Sequence, residues 1–211
     1  MFTADLYLDR IDLAGYLTPE ECEAAGVQEA RELAAALQEG RLRLEDCPFF
    51  PSWKRYALSL ALRAAEVLPP VPSLELPRPV PPELYDLNEP GPEAPILVTG
   101  NSEFTLTVLT AILATTVSPF YLLLVDCRGD TVDMAMVFQS FKPERLRQAL
   151  AHHDLAGKVS HRRLIIPGWC APLKDDLARE TGWEILAGPV CAGELPLFMG
   201  EAWRPPPGAG L

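Results

Sequence analysis

APILVTGNSEFTLTVLTAILATTVSPFYLLLVDCRGD (94–130) is the stretch that decides the fold. Within it, Phe104 to Val125 runs 22 residues without a charge, long enough for a membrane-crossing helix. Five threonines and the Ser118–Pro119 pair argue against that, since proline cannot continue a helix. The stretch instead reads as a strand, ILVTG (96–100), a helix, SEFTLTVLTAILAT, a turn at Pro119 and a second strand, FYLLLVD (120–126). Short, wholly apolar strands joined by a helix are the repeating unit of a parallel sheet covered on both faces.

The same alternation continues downstream. After the turn CRGD, residues 131–141 follow no clear period, and PERLRQALAHH is a helix with Pro143 at its start. RLIIPG (163–168) is a strand, PLKDDLARETG a helix closed by Gly182, WEILAG (183–188) a strand, and GELPLFMGEAW a last helix. Residues 95–211 are therefore expected to form an α/β domain, a Rossmann-like (flavodoxin-like) parallel sheet with helices on both faces.

Upstream, the punctuation changes. Of 22 prolines in 211 residues, ten lie between Pro69 and Pro95. At this density, residues 69–94 favour polyproline II and exclude a regular helix or a central strand. They read as a linker, either a semi-rigid strap along the surface or a ligand for a proline-binding module. Residues 1–68 read as a small helical module. Thr18 to Gln38 is Ala/Glu/Leu-rich, with Thr18 as N-cap, Pro19 at the first helical position and Gly40 ending it. A second helical stretch covers Trp53 to Val67.

The chain holds 29 acidic and 18 basic residues, a net charge of −11. Seventeen acids and eight bases fall in residues 1–94, against twelve and ten in the remainder. This balance excludes binding to a phosphate backbone or to an anionic membrane surface, both of which need clustered Lys and Arg. Five cysteines, an odd number, and an acidic N-terminus without a basic, then apolar, leader point to a cytoplasmic protein with reduced thiols.

A parallel sheet places ligands beyond the carboxyl ends of its strands. The loops there are TGNSE (99–103), DCRGD (126–130), PGWCA (167–171) and GPVCAG (188–193). Three of them carry a cysteine, Cys127, Cys170 and Cys191, which are either core thiols or the lining of a soft metal centre. No G-x-S-x-G, Walker A or G-x-G-x-x-G pattern follows the first strand, and no residue is singled out as catalytic. His152–His153 ends a helix, His161 precedes a strand, and Asp175–Asp176 reads as a solvated helix face.

ILVTGN…FTLT (96–107), YLLLVDCRGDTVDM (121–134), HRRLIIPG (161–168) and WEILAGPVCAGELPLFM (183–199) together resemble one domain family. It is the C-terminal corrinoid-binding domain of the large (gamma) subunit of the corrinoid iron–sulfur protein of the acetyl-CoA synthase/carbon monoxide dehydrogenase pathway. The mercury-methylating corrinoid protein carries a related domain. Residues 17–48 resemble the same family's iron–sulfur module, whose ligands are spaced C-x2-C-x4-C-x16-C and end in D-C-P. The four ligand positions become Cys22, Ala25, Ala30 and Cys47. With two of four thiolates left, a 4Fe-4S cluster is not expected. The family's barrel domain is missing, and the proline-rich segment stands in its place.

The resemblance implies a corrinoid cofactor and cobalt-centred methyl transfer. A corrinoid, an apolar disc fringed with amides, needs hydroxylic or small residues at the strand ends, and Thr99, Asn101, Thr105, Thr107, Thr131, Gly168 and Gly188 are the candidates, with Met134 in the cap. The family's cap segment approaches the cobalt through G-x-S-V-x-T-A-x-A-A-G-K, which here reads GDTVDMAMVFQS (129–140). Met134 falls where the family faces the lower side of the cobalt, and a thioether is a soft ligand. The small residues give way to Val137-Phe138-Gln139-Ser140, so Phe138 is expected to fill space that the cofactor would need. Two alternatives stand beside this: a cofactor-free interaction or regulatory module, and thiol-based metal binding at Cys127, Cys170 and Cys191. A partner, such as a methyltransferase, would dock on the acidic N-terminal module and the strap.

Overall fold

A computed structural model describes residues 3–72 and 76–208. Residues 73–75 of the proline-rich segment lie outside these. The helices and strands, in chain order, are α1 (Pro19–Ala24), α2 (Ala30–Gln38), α3 (Ser52–Leu62), α4 (Ala64–Val67), β1 (Leu84–Leu87), β2 (Ile96–Gly100), α5 (Glu103–Leu113), β3 (Phe120–Val125), α6 (Val132–Val137), α7 (Pro143–His152), α8 (Leu155–Lys158), β4 (Arg163–Ile166), α9 (Lys174–Thr181), β5 (Glu184–Ala187) and α10 (Leu195–Met199). Short 3-10 turns join several of them, the longest at Gly168–Leu173.

The described strands form one five-stranded sheet, ordered β1-β3-β2-β4-β5. β3, β2, β4 and β5 are parallel, and β1 runs antiparallel to β3 at the edge. The fold is the expected Rossmann-like α/β class. The alternation of side chains sends Ile96, Val98, Tyr121, Leu123, Val125, Leu164, Ile166 and Ile185 into one core, which receives Leu146 and Leu150 from α7, Leu155 from α8 and Leu177 from α9.

The chain divides into two compact units, and they do not follow sequence order. Among the described residues, one takes in 3–4, 70–72, 76–110 and 118–190; the other takes in 5–69, 111–117 and 191–208. The C-terminal helix α10 therefore belongs with the helical module, where Leu197 joins Leu33, Leu37, Phe50, Leu58 and Ala61. Glu194, in the GELP stretch, is buried in the same unit and accepts a 2.7 Å hydrogen bond from the Tyr16 hydroxyl. Burial and the neighbouring carboxylate raise the Tyr16 pKa.

Three local expectations change. The proline-rich segment carries a real strand, β1, in the proline-free run between Pro82 and Pro90, and it lies at the sheet edge, where proline neighbours are tolerated. The helix expected from Thr18 to Gln38 breaks into α1 and α2 at Gly26, whose φ is +74°. The last helix shrinks to α10 between 3-10 turns, ending at Gly200. The ambiguous segment 131–141 holds α6. No helix among the described residues is long and apolar enough to cross a membrane. The uncharged run is α5 followed by β3.

Candidate functional site

From β2 the chain passes to one side for β3 and returns to the other side for β4. The connections therefore diverge between β2 and β4, and the carboxyl ends of these strands flank the crevice that such sheets use for ligands. Thr99 to Glu103 leave β2 at this point, and Pro167 to Ala171 leave β4.

Asn101 organises the β2 end. Its Oδ1 accepts the backbone N–H of Cys127 at 2.7 Å and of Gly129 at 3.3 Å, and its Nδ2 donates to the Val80 carbonyl at 2.8 Å. The Val80 N–H returns to the Asn101 carbonyl at 2.9 Å, and the Glu103 N–H, at the start of α5, donates to the Arg78 carbonyl at 2.9 Å. The strap thus lies across the ends of β2 and β3. Gly129, at φ +80°, sits directly under it, where a Cβ would come within 2.3 Å of the Pro79 nitrogen. The carboxamide placed by sequence among the ligand contacts is occupied by the protein's own backbone.

Two hydroxyls beside it are not. Thr99 Oγ1 and Ser102 Oγ are buried without a hydrogen-bond partner among the described residues. Leaving such a group unpaired costs about 1–3 kcal/mol. Ser102 was not singled out by sequence, although a serine directly before α5 was a visible signal. Thr105 is half-buried on α5, while Thr107 is exposed and bonds back to the Glu103 carbonyl at 2.8 Å. Thr131 precedes α6 and donates to Asp133 Oδ1.

Gly168 and Gly188 both sit in close quarters. The Gly168 N–H donates to the Pro189 carbonyl at 2.9 Å, and a Cβ on Gly168 would meet the Gly188 oxygen, the Pro189 carbonyl carbon and the Val190 nitrogen at 2.8 Å. The missing side chain of Gly168 lets the loops after β4 and β5 meet backbone against backbone, while a Cβ on Gly188 would press at 3.1 Å on the Ile165 side chain and the Ile166 carbonyl of β4.

The cap segment is α6 with its flanks. Ala135 is fully buried, and Val132 and Met136 pack on the core. Met134, Val137 and Phe138 turn outward at 38%, 70% and 61% exposure. Spaced i, i+3 and i+4, the three side chains share the outer face of the helix, so Phe138, expected to fill space that the cofactor would need, lies on the surface and not in the core. The segment is tied at its ends by Ser140 Oγ donating to Asp130 Oδ2 at 2.8 Å. This pairing, ten residues apart and irregular in spacing, left no local sequence signal.

Cys127 and Cys170 are wholly buried in the sheet core, while Cys191 belongs to the other unit. Burial pushes both Cys127 and Cys170 up to about 12, with Cys127 adding to the effect at Cys170. Among the described residues, no three of His, Cys, Asp or Glu are placed to hold a metal ion. His161 fixes the start of β4, its Nε2 donating to the Ala94 carbonyl at 3.0 Å and its Nδ1 accepting the Arg163 N–H at 3.2 Å. His152 and His153 touch edge to face at 4.8 Å. Asp175 and Asp176 are exposed in the first turn of α9, and Asp176 pairs with Arg179.

In the helical unit, Cys22 and Cys47 are buried in the apolar core against which Ala25 and Ala30 pack. Cys47 Sγ donates to the Arg43 carbonyl at 3.2 Å, as a protonated thiol does and a thiolate ligand cannot. Burial raises its pKa. The donor set does not fit a four-thiolate cluster. Nearby, Thr18 and Glu21 form a capping box, and Glu21 receives the buried Lys54 ammonium at 2.5–2.6 Å.

Residues 29–199 match the family described as CO dehydrogenase/acetyl-CoA synthase delta subunit. The chain is 33% identical over 123 residues to the acetyl-CoA decarbonylase/synthase complex subunit gamma of Methanopyrus kandleri, covering 58% of this chain and 27% of that one. It is 25% identical over 198 residues to the subunit of the same name from Methanocaldococcus jannaschii, covering 89% and 39%. Against the corrinoid/iron-sulfur protein large subunit of Moorella thermoacetica it is 34% identical over 116 residues, covering 55% and 26%. The chain thus spans well under half the length of these relatives. With most of its length matched, it belongs to the CO dehydrogenase/acetyl-CoA synthase delta subunit family.

Proposed function

We propose that the sheet-bearing unit is a corrinoid-binding domain that takes part in methyl transfer alongside protein partners. The observation that carries this is the outward apolar face of α6, the cap segment beside the carboxyl ends of the strands, with the unpartnered hydroxyls of Thr99 and Ser102 at the end of β2 as a second, separate support. A corrinoid is a flat apolar disc fringed with amides. It needs an apolar surface for its face and hydrogen-bonding groups for its rim, and the residues present fit it. Thr99 and Ser102 would hold the rim; Met134, Val137 and Phe138 would lie against the face, with Met134 the candidate soft ligand. A bound corrinoid would supply the cobalt on which a methyl group is carried. Around it, this chain's residues bind, orient and shield. Since the helical unit lacks the thiolates for a cluster, electrons for the cofactor would come from another protein. Relatives named as subunits of the acetyl-CoA decarbonylase/synthase complex support a role among partners.

Anaerobic incubation of the full chain with hydroxocobalamin, followed by desalting, tests this. Retained visible absorption with about one cobalt per chain is expected, and Met134→Ala should shift the spectrum of the bound form. A colourless, cobalt-free protein would overturn the reading. It would favour a cofactor-free interaction module, for which the strap pinned across β2 and β3 is the supporting feature.

A further inference from the structure

Helix α6 has six residues, too few to hold a helical conformation in water unaided. It nevertheless presents Met134, Val137 and Phe138 to the outside. Val132, Ala135 and Met136 anchor its inner side. These apolar contacts set which face turns inward, while the seating of so short a helix also depends on directional contacts at its ends. The directional contact is the hydrogen bond from Ser140 to Asp130, both more than nine-tenths buried at 6% and 7% exposure.

Each partner in that bond is itself held. The Asp130 N–H donates to the Cys127 carbonyl at 3.1 Å, and Cys127 is in turn bonded to Asn101. The Ser140 N–H donates to the Ala135 carbonyl at 2.9 Å, closing the helix across Gln139 at φ +53°. A non-glycine residue in that conformation costs about 1 kcal/mol or more and persists where its surroundings over-determine it. The chain Asn101, Cys127, Asp130, Ser140 therefore runs from the end of β2 to the far end of the cap.

We infer that the Asp130–Ser140 bond is a clasp that sets the orientation of the outer face of α6, with Ser140 a positioning residue for the flat apolar group that rests there. The clasp stands on the geometry above, and the identity of that group rests on the corrinoid reading. A hydroxyl-to-carboxylate bond buried at this depth is directional and strong for its size.

The test uses the full chain as parent, Ser140→Ala and Ser140→Thr, with Asp130→Asn as a second variant of equal volume should Ser140→Ala fail to fold. Amide hydrogen exchange over residues 131–139 should quicken about tenfold in Ser140→Ala, while β2 and β3 exchange as in the parent. Hydroxocobalamin should bind about tenfold more weakly, with an altered visible spectrum, and Ser140→Thr should restore exchange, affinity and spectrum together. Unchanged exchange over 131–139 overturns the clasp. Faster exchange with unaltered cobalamin affinity and spectrum overturns the positioning role. Should the parent take up no cobalamin, the corrinoid reading fails by itself, and exchange alone decides for or against the clasp.

Discussion

The Asn101 carboxamide is bonded at 2.7 Å to the backbone N–H of Cys127, 26 residues further along the chain. One side chain at the end of β2 thus holds the loop after β3, and through Val80 it holds the strap as well. Its neighbours Thr99 and Ser102 have no such employment for their hydroxyls. Neighbouring polar side chains at the end of β2 thus differ in that Asn101 is spent on the fold while the hydroxyls of Thr99 and Ser102 are not.

Asn101→Ala should destabilise the protein by about 3 kcal/mol, because it removes three hydrogen bonds and strands buried backbone groups at Cys127, Gly129 and Val80. Asn101→Asp keeps the acceptor for both N–H groups and should cost less, though it faces the Val80 carbonyl with an oxygen in place of a donor. Urea unfolding followed by circular dichroism measures both. A loss below about 0.5 kcal/mol for the alanine variant would contradict the hub.

Much of this fold was legible because parallel strands are short apolar runs. Ile96–Gly100, Phe120–Val125, Arg163–Ile166 and Glu184–Ala187 fall inside the four runs read as strands. β1 was hidden because proline density dominates its surroundings, while its own four residues, LYDL, contain none. The joining of residues 191–208 to the helical unit was hidden too, since sequence order says nothing about which core a terminal segment enters. At the strand ends, residue types singled out Thr99, whose hydroxyl is buried without a partner, and Met134, which is exposed on α6. The employment of Asn101, Gly168 and Gly188 by the backbone depends on long-range contacts with no local pattern.

Gly129→Ala should cost about 3 kcal/mol or more. The residue needs the left-handed conformation at φ +80°, and an added Cβ would fall 2.3 Å from the Pro79 nitrogen and 2.6 Å from the Arg78 carbonyl carbon. The strap cannot yield without losing its bonds to Asn101 and Glu103. Limited proteolysis should accordingly cut the variant within 76–83 faster than the parent. Equal cleavage rates would show that the strap does not depend on Gly129.

The thiols give a prediction in pH. Burial holds Cys127 and Cys170 at about 12 against an ordinary value of 9.0. Between these values the unfolded chain loses protons that the folded one keeps, so stability falls as pH rises through that window. Below pH 9 the contribution is intact. Thermal unfolding from pH 7 to 11 should show a plateau and then a decline, and Cys127→Ser/Cys170→Ser should flatten the decline. In the folded protein at pH 8, iodoacetamide should leave both residues unmodified, because the reactive thiolate is scarce and inaccessible. Rapid labelling of either under native conditions would contradict their burial.

The helical unit supplies the last test. Cys22 and Cys47 share an apolar core with Ala25 and Ala30 packed against it, so all four positions aligned with cluster ligands belong to one core. Two of them cannot donate, and Cys47 spends its proton on the Arg43 carbonyl. Incubated anaerobically with ferrous iron and sulfide, the parent should develop no cluster absorption in the visible range. Ala25→Cys/Ala30→Cys supplies the two missing thiolates without disturbing the Glu21–Lys54 pair, and should gain that absorption with about four irons per chain. Absorption in the parent would show that two cysteines suffice to recruit a cluster here. Its absence from a folded double variant would show that the four positions, though gathered in one core, are not disposed to share a metal.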